Sequence, residues 1–165
     1  MKNNLPVFTP YLNGERAPIF DKNAKGTFFG LGSKCTKKDL AYSVLEGVVF
    51  SLYHIYESMG CPCVNNIRVS GGASKNIMLN TLKAEMFGKK VCVLSENDTS
   101  ALGAVRVALN GMGIDEKLNA VIMQIEPSGK FNRILKKRYE IYKTLYLSLK
   151  KQFNDFSNIG KDLII

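Results

Sequence analysis

Ile67-Arg68-Val69-Ser70-Gly71-Gly72-Ala73-Ser74-Lys75-Asn76 is the stretch on which the fold turns. A short β-branched run ends in two glycines and gives way to a helix predicted from about Lys75 to Phe87, with Ile77, Leu79, Leu82 and Met86 at its apolar positions. Strand, glycine loop and helix in that order can receive phosphate or nucleotide for two reasons. The absent side chains let a ligand approach the main chain, and the first helical N–H groups lack partners and point outward. The residues match neither the Gly-x-Gly-x-x-Gly fingerprint nor the Gly-Lys-Ser/Thr ending of the Walker loop, and Gly-Gly before a helix is as often a plain turn. Lys75 adds a cation at the approach, although a lysine in a first helical turn is commonplace. On the residues alone, nucleotide loop and plain turn both stand.

Outward from the loop, Lys90-Val91-Cys92-Val93-Leu94 reads as the next strand and Ser95-Glu96-Asn97-Asp98 as a polar turn. A helix opens at Thr99-Ser100-Ala101-Leu102-Gly103-Ala104-Val105, its small residues suited to close approach, and Gly111-Met112-Gly113 ends it. Upstream, Thr36-Lys37-Lys38-Asp39 places a capping hydroxyl three residues before an acid. Leu40, Val44, Leu45, Val48, Val49, Leu52, Ile55, Tyr56 and Met59 then recur at helical spacing up to Gly60, apolar around so much of the circumference that burial on more than one side is expected. The first thirty residues, punctuated by Pro6, Pro10, Gly14, Pro18, Gly26 and Gly30, predict extended segments and turns. Alternating strands and helices make this an α/β layer.

The 165 residues, 45% apolar and 22% charged, have the make-up of one soluble globular domain able to bury a core without staples. No run of eighteen apolar residues exists to span a membrane, and Met1-Lys2-Asn3-Asn4-Leu5-Pro6 lacks the apolar region of a signal peptide, so the expected address is cytoplasmic. Cys35, Cys61, Cys63 and Cys92 are expected to be reduced. Cys61-Pro62-Cys63, with His54 as the one histidine, falls short of a closed zinc site and reads as a loop with half-buried thiols. His54 itself reads as a satisfied structural histidine. Of the net charge of +9, most lies between Lys130 and Lys151, where eight basic residues face Glu140 alone. The long amphipathic helix predicted there, Phe131 to Phe156, has Phe131, Leu135, Tyr142, Leu145, Leu149 and Phe153 on one stripe. A docked terminal helix with solvated lysines is favoured over a nucleic-acid face.

Four blocks in register, from Phe8 to Leu109, resemble the FGGY family of carbohydrate kinases. They are Phe8-Thr9-Pro10-Tyr11-Leu12-Asn13-Gly14-Glu15-Arg16-Ala17-Pro18 with Asp21; Gly26-x-Phe28-x-Gly30-Leu31 with Asp39 to Val48; the loop Ser70 to Asn76; and Thr99 to Ala104. Lys22 stands where the family often has proline and Lys25 where arginine is usual, both away from the loop. The resemblance implies the actin-like ATPase (ribonuclease H-like) α/β fold, with this chain a part of the second domain: residues 1–128 as the kinase portion, 129–157 as a basic helix packed on it and 158–165 as a tail. It implies ATP and, in the complete enzyme, Mg2+ as cofactors. Gly72 and Asn76 carry over as contacts to the adenosine end, with Ala73, Ser74 and Lys75 forming the loop between them; Ser100, Ala101, Gly103 and Ala104 carry over as a close-packing helix face.

Phosphoryl transfer needs a metal-bound phosphate clamp and usually a carboxylate base, which in the family lie earlier in the chain. Neither pattern is present, and Glu15, Asp21, Asp39, Glu46, Glu57 and Glu85 each read as turn, cap or helix-surface residues; no catalytic residue is assigned. An ion pair between Glu15 and Arg16 is expected to order its turn. The fragment is expected to be inactive by itself, with a missing first kinase domain or a second copy as its partner. The run Tyr11-Leu12-x-Gly14-Glu15-Arg16-x-Pro18 looks most like xylulose and gluconate kinases. The reading of another class is a non-catalytic module binding through the basic helix.

Overall fold

The computed structural model describes residues 5–96, 98–115 and 120–162. The chain divides into two compact units, residues 1–62 with 131–165, and residues 63–130.

In the first unit β1 (Val7–Thr9) pairs antiparallel with β2 (Thr27–Phe29), setting Phe8 opposite Phe28. Helix α1 (Lys37–Ser58) starts as its sequence predicts. Thr36 Oγ1 accepts the Asp39 N–H and the Asp39 carboxylate accepts the Thr36 N–H at 2.9 Å, a reciprocal cap. Its burial is narrower than expected: Asp39, Ser43, Glu46, Gly47, Val49 and Phe50 are covered, while Leu40, Val44, Leu45 and Val48 are half-buried and Leu52 is exposed. No described element of the unit closes over that apolar flank. Gly47 explains the covered stripe, because a Cβ there would collide with the Phe8 carbonyl oxygen, so the helix backbone lies directly on β1.

Helix α4 (Asn132–Asp162) continues past Phe156 and packs against α1 and β1. Its buried stripe is Leu135, Tyr139, Tyr142, Leu145, Tyr146 and Phe153; Phe131, expected on it, is exposed and precedes the helix. Tyr11 donates a 2.6 Å hydrogen bond to the Tyr142 hydroxyl, and burial raises the Tyr11 phenol far above its ordinary range. Lys136, Lys137, Lys150 and Lys151 face outward, but two basic side chains turn in. Lys143 lies 3.2 Å from both Glu57 and Glu140 and over the Tyr139 ring. Arg138 donates through Nε and Nη2 to the Glu46 carboxylate at 2.8 and 2.6 Å, and to the Leu5 and Pro6 carbonyls at 2.9 Å each. Burial pushes the Glu46 carboxyl up, and the doubly bound guanidinium opposes that. His54 is not satisfied as expected: Nδ1 is buried among aromatic rings without a hydrogen-bond partner among the described residues, and desolvation lowers its pKa.

The second unit holds a sheet in the order β3 (Asn66–Val69), β4 (Lys90–Leu94), β5 (Val121–Ile125). β3 and β4 are parallel, joined through α2 (Ile77–Phe87), which packs on β4 and β5 with Leu79, Leu82, Ala84 and Met86 buried. β5 runs antiparallel to β4 and is absent from the sequence expectation, because the short run Val121-Ile122-Met123-Gln124-Ile125 carries no decisive period. Helix α3 (Thr99–Gly111) has no buried residue. The close-packing face expected of Ser100, Ala101, Gly103 and Ala104 therefore lies open, and a Cβ at Gly103 would meet nothing within 4 Å, because no described element lies against it. Cys61 and Cys63 are exposed, not half-buried as expected, and all four thiols are free. Among the described residues no helix is long and apolar enough to cross a membrane.

The Glu46–Arg138 pair, with side chains 1% and 15% exposed, should dominate the first unit's stability. Glu46→Ala is expected to cost about 3–5 kcal/mol by leaving a buried guanidinium unpaired, and Glu46→Leu with Arg138→Met to recover most of it. Urea unfolding measures both, and a cost below about 1 kcal/mol for Glu46→Ala refutes the clamp.

Candidate functional site

β3 ends at Val69, and the chain leaves the sheet through Gly71, whose φ of 82° and ψ of −179° only glycine adopts without strain. A 3-10 turn, Gly72–Lys75, follows where the sequence predicts the start of α2, and it delays the helix to Ile77. Within the turn Ser74 points inward at 3% exposure, its Oγ donating to the Gly71 carbonyl at 2.7 Å. Gly72, Ala73, Lys75 and Asn76 are exposed, and a Cβ added at Gly72 would meet nothing within 4 Å. The loop thus presents a bare outer edge at the carboxyl end of a parallel strand, the place where open α/β sheets receive ligands.

Asn76 is the N-cap of α2, its Oδ1 accepting the Leu79 N–H at 3.0 Å. The amide oxygen is therefore engaged, and the amide nitrogen is the group left to donate to a ligand. An Asn directly before the apolar run Ile77-Met78-Leu79 is a capping signal that the sequence reading passed over.

The parallel register of β3 and β4 brings a second helix start to the same edge. Ser70 Oγ and Thr99 Oγ1 lie 3.3 Å apart, joining the loop to the first turn of α3. Asp98 caps that turn by accepting the Ala101 N–H at 3.0 Å. A carboxylate already stands at the positive end of the α3 dipole, so this edge suits an uncharged nucleoside better than a polyphosphate. Among the described residues no group of three or more His, Cys, Asp or Glu gathers to hold a metal.

The other carboxylates have local partners. Glu15 accepts the Arg16 main-chain N–H at 2.9 Å and the Ser51 hydroxyl at 3.3 Å, so the turn is ordered by a backbone hydrogen bond and not by the expected ion pair with the Arg16 guanidinium. Asp21 accepts from the Asn23 N–H and the Tyr146 hydroxyl. Glu57 accepts from Tyr139 and Lys143, which hold its pKa below the ordinary value against the opposing effect of burial. Glu85 accepts the Ser128 N–H at 2.6 Å.

A family model described as the FGGY family of carbohydrate kinases, C-terminal domain, matches residues 1–112. Xylulose kinase of Staphylococcus epidermidis is 30% identical over 162 residues, which are 93% of this chain and 33% of the relative. Gluconokinase of Bacillus subtilis is 30% identical over 171 residues, 96% of this chain and 33% of the relative. The crystal structure of ligand-bound xylulose kinase from Lactobacillus acidophilus superposes with a TM-score of 0.83 at 28% identity, over 92% of this chain and 32% of that one. The chain spans about a third of the length of these relatives. The α/β fold expected from the sequence, part of the second domain of an actin-like ATPase, is the fold of these neighbours.

The two loop glycines differ in a measurable way. Gly71→Ala forces a side chain onto a glycine-only conformation and is expected to cost about 1–3 kcal/mol, whereas Gly72→Ala stays within about 0.5 kcal/mol. Thermal unfolding compares them, and the reverse ranking contradicts the loop geometry.

Proposed function

The chain belongs to the FGGY family of carbohydrate kinases, and from that premise we propose that it supplies the adenosine-binding face of an ATP-dependent sugar kinase. The proposed sugar is a ketopentose such as xylulose, with gluconate as the alternative; relatives of both names match at the same identity. The observation that carries the reading is the bare edge of the loop, where Gly72, Ala73, Lys75 and Asn76 are exposed around an open Gly72. Adenine and ribose would rest against the main chain at Gly72 and accept from the Asn76 amide, with Ala73, Ser74 and Lys75 shaping the turn.

ATP supplies the phosphoryl group in this family. Mg2+ is proposed for the complete enzyme, held by parts outside this chain, because the loop edge offers hydroxyls and amides and its carboxylate Asp98 is already used as a cap. The substrates are small polar metabolites, which fits a cytoplasmic address.

Residues 1–128 are assigned to the kinase domain and α4 to the helix that closes it. Two faces support an outside partner. The apolar flank of α1 is only half-buried, and α3 with its C-cap leaves Val105, Val107 and Met112 exposed. The relatives carry about twice as much further chain, and the preceding kinase portion is the proposed occupant, ahead of a second copy. Domain closure assembles such sites and excludes water, and one part cannot close by itself.

The isolated chain, given ATP, Mg2+ and either xylulose or gluconate, is expected to release no ADP dependent on the sugar in a coupled assay, and to bind ATP only weakly, with a Kd of about 1 mM. Sugar-dependent turnover by the chain alone overturns this division of labour.

A further inference from the structure

Asn80 sits one helical turn after the cap Asn76 and is fully buried, at 0% exposure. An amide is a poor choice for the interior of α2, where Leu79, Leu82 and Met86 also pack, because a buried polar group is costly unless its hydrogen bonds are made. Only part of that requirement is met. Nδ2 donates to the Ser74 carbonyl at 2.7 Å, while Oδ1 is buried without a partner among the described residues. A leucine of similar size would remove the cost, so the amide does something that a leucine cannot.

What it does is visible in the loop. Ser74, held by its carbonyl, in turn donates through Oγ to the Gly71 carbonyl at 2.7 Å, so two hydrogen bonds link the body of α2 to the residue that precedes the turn. The Asn80 N–H also bonds to the Asn76 carbonyl at 3.1 Å, so the same residue tethers both ends of the segment that follows Ala73. With Ser74 drawn inward, Gly72, Ala73, Lys75 and Asn76 are left on the outer edge. We propose that Asn80 is a positioning residue, whose buried amide latches the Ser74 carbonyl and holds the turn in the form that receives the nucleotide. The inference rests on the reading of this loop as the adenosine site.

The test uses the 165-residue chain and amide hydrogen exchange, with α2 and β4 as internal references. Asn80→Leu is expected to speed exchange of the Ser74 and Asn76 amides about fivefold to tenfold, roughly one net hydrogen bond, while leaving β4 protected. Asn80→Asp should show the same loss above the pKa of the new carboxyl and recover as its protonated form regains a donor at lower pH, a profile that a space-filling role does not produce. Unchanged loop exchange in Asn80→Leu overturns the latch, and so does equal loosening of β4, which makes Asn80 a core residue only. ATP at about ten times the expected Kd provides the separate arm. Slower loop exchange in the unmutated chain, lost in Asn80→Leu, supports both readings. No effect of ATP on a loop whose latch is intact removes the nucleotide reading and leaves the positioning of the turn standing.

Discussion

One guanidinium holds the first unit in register. Arg138, on the last helix, reaches the Glu46 carboxylate on α1 and the carbonyls of Leu5 and Pro6 just before β1. The three partners are about ninety or more residues distant in sequence, and no local propensity would bring them together. A buried charge tolerates few arrangements, because every unmet donor carries a desolvation penalty. The pair therefore selects one docking of α4 among the many that an apolar stripe alone would permit. Gly47, next to Glu46, then lets the helix descend onto the Phe8 carbonyl. Fixed polar geometry and close backbone approach act on the same turn of the same helix.

The second unit is organised by a different constraint, the exit of the main chain from parallel strands. Two strands leave the sheet side by side and each feeds a helix, so the starts of α2 and α3 meet at one edge. Both starts are already capped, by Asn76 and by Asp98. That leaves the edge short of free anion-binding capacity and long on bare backbone, which fits the nucleoside end of ATP. The chemistry of transfer is proposed to come from outside this chain, which spans about a third of the length of its relatives. The exposed small residues of α3 and the half-covered flank of α1 are the faces proposed to meet a partner outside the chain.

Legibility followed the range of the interactions. The cap of α1 was readable because Thr36 and Asp39 are three residues apart and their bonds are local. The strand at Lys90 to Leu94 and the ends of α3 were readable for the same reason, from β-branched content and glycine stops. β5 was missed, since Val121 to Ile125 becomes a strand by pairing with β4. The α4 stripe was read with Phe131 in and Tyr139 and Tyr146 out, because an aromatic phenol looks amphipathic until its hydroxyl is seen bonded to Glu57 or Asp21. At the loop, position and residue types were legible; the inward turn of Ser74 and the support from Asn80 were not.

By itself the amino-acid order determined the family, the succession of elements and the place of the glycine loop, since these rest on residue types at short, fixed spacing. Tertiary structure decided which faces are covered, that Arg138 belongs to the core and not to the basic surface, and that the buried Asn80 amide bonds to the loop at the Ser74 carbonyl. Those outcomes depend on groups brought together from distant parts of the chain, where burial changes the free energy of a charge or an amide by more than any local preference does.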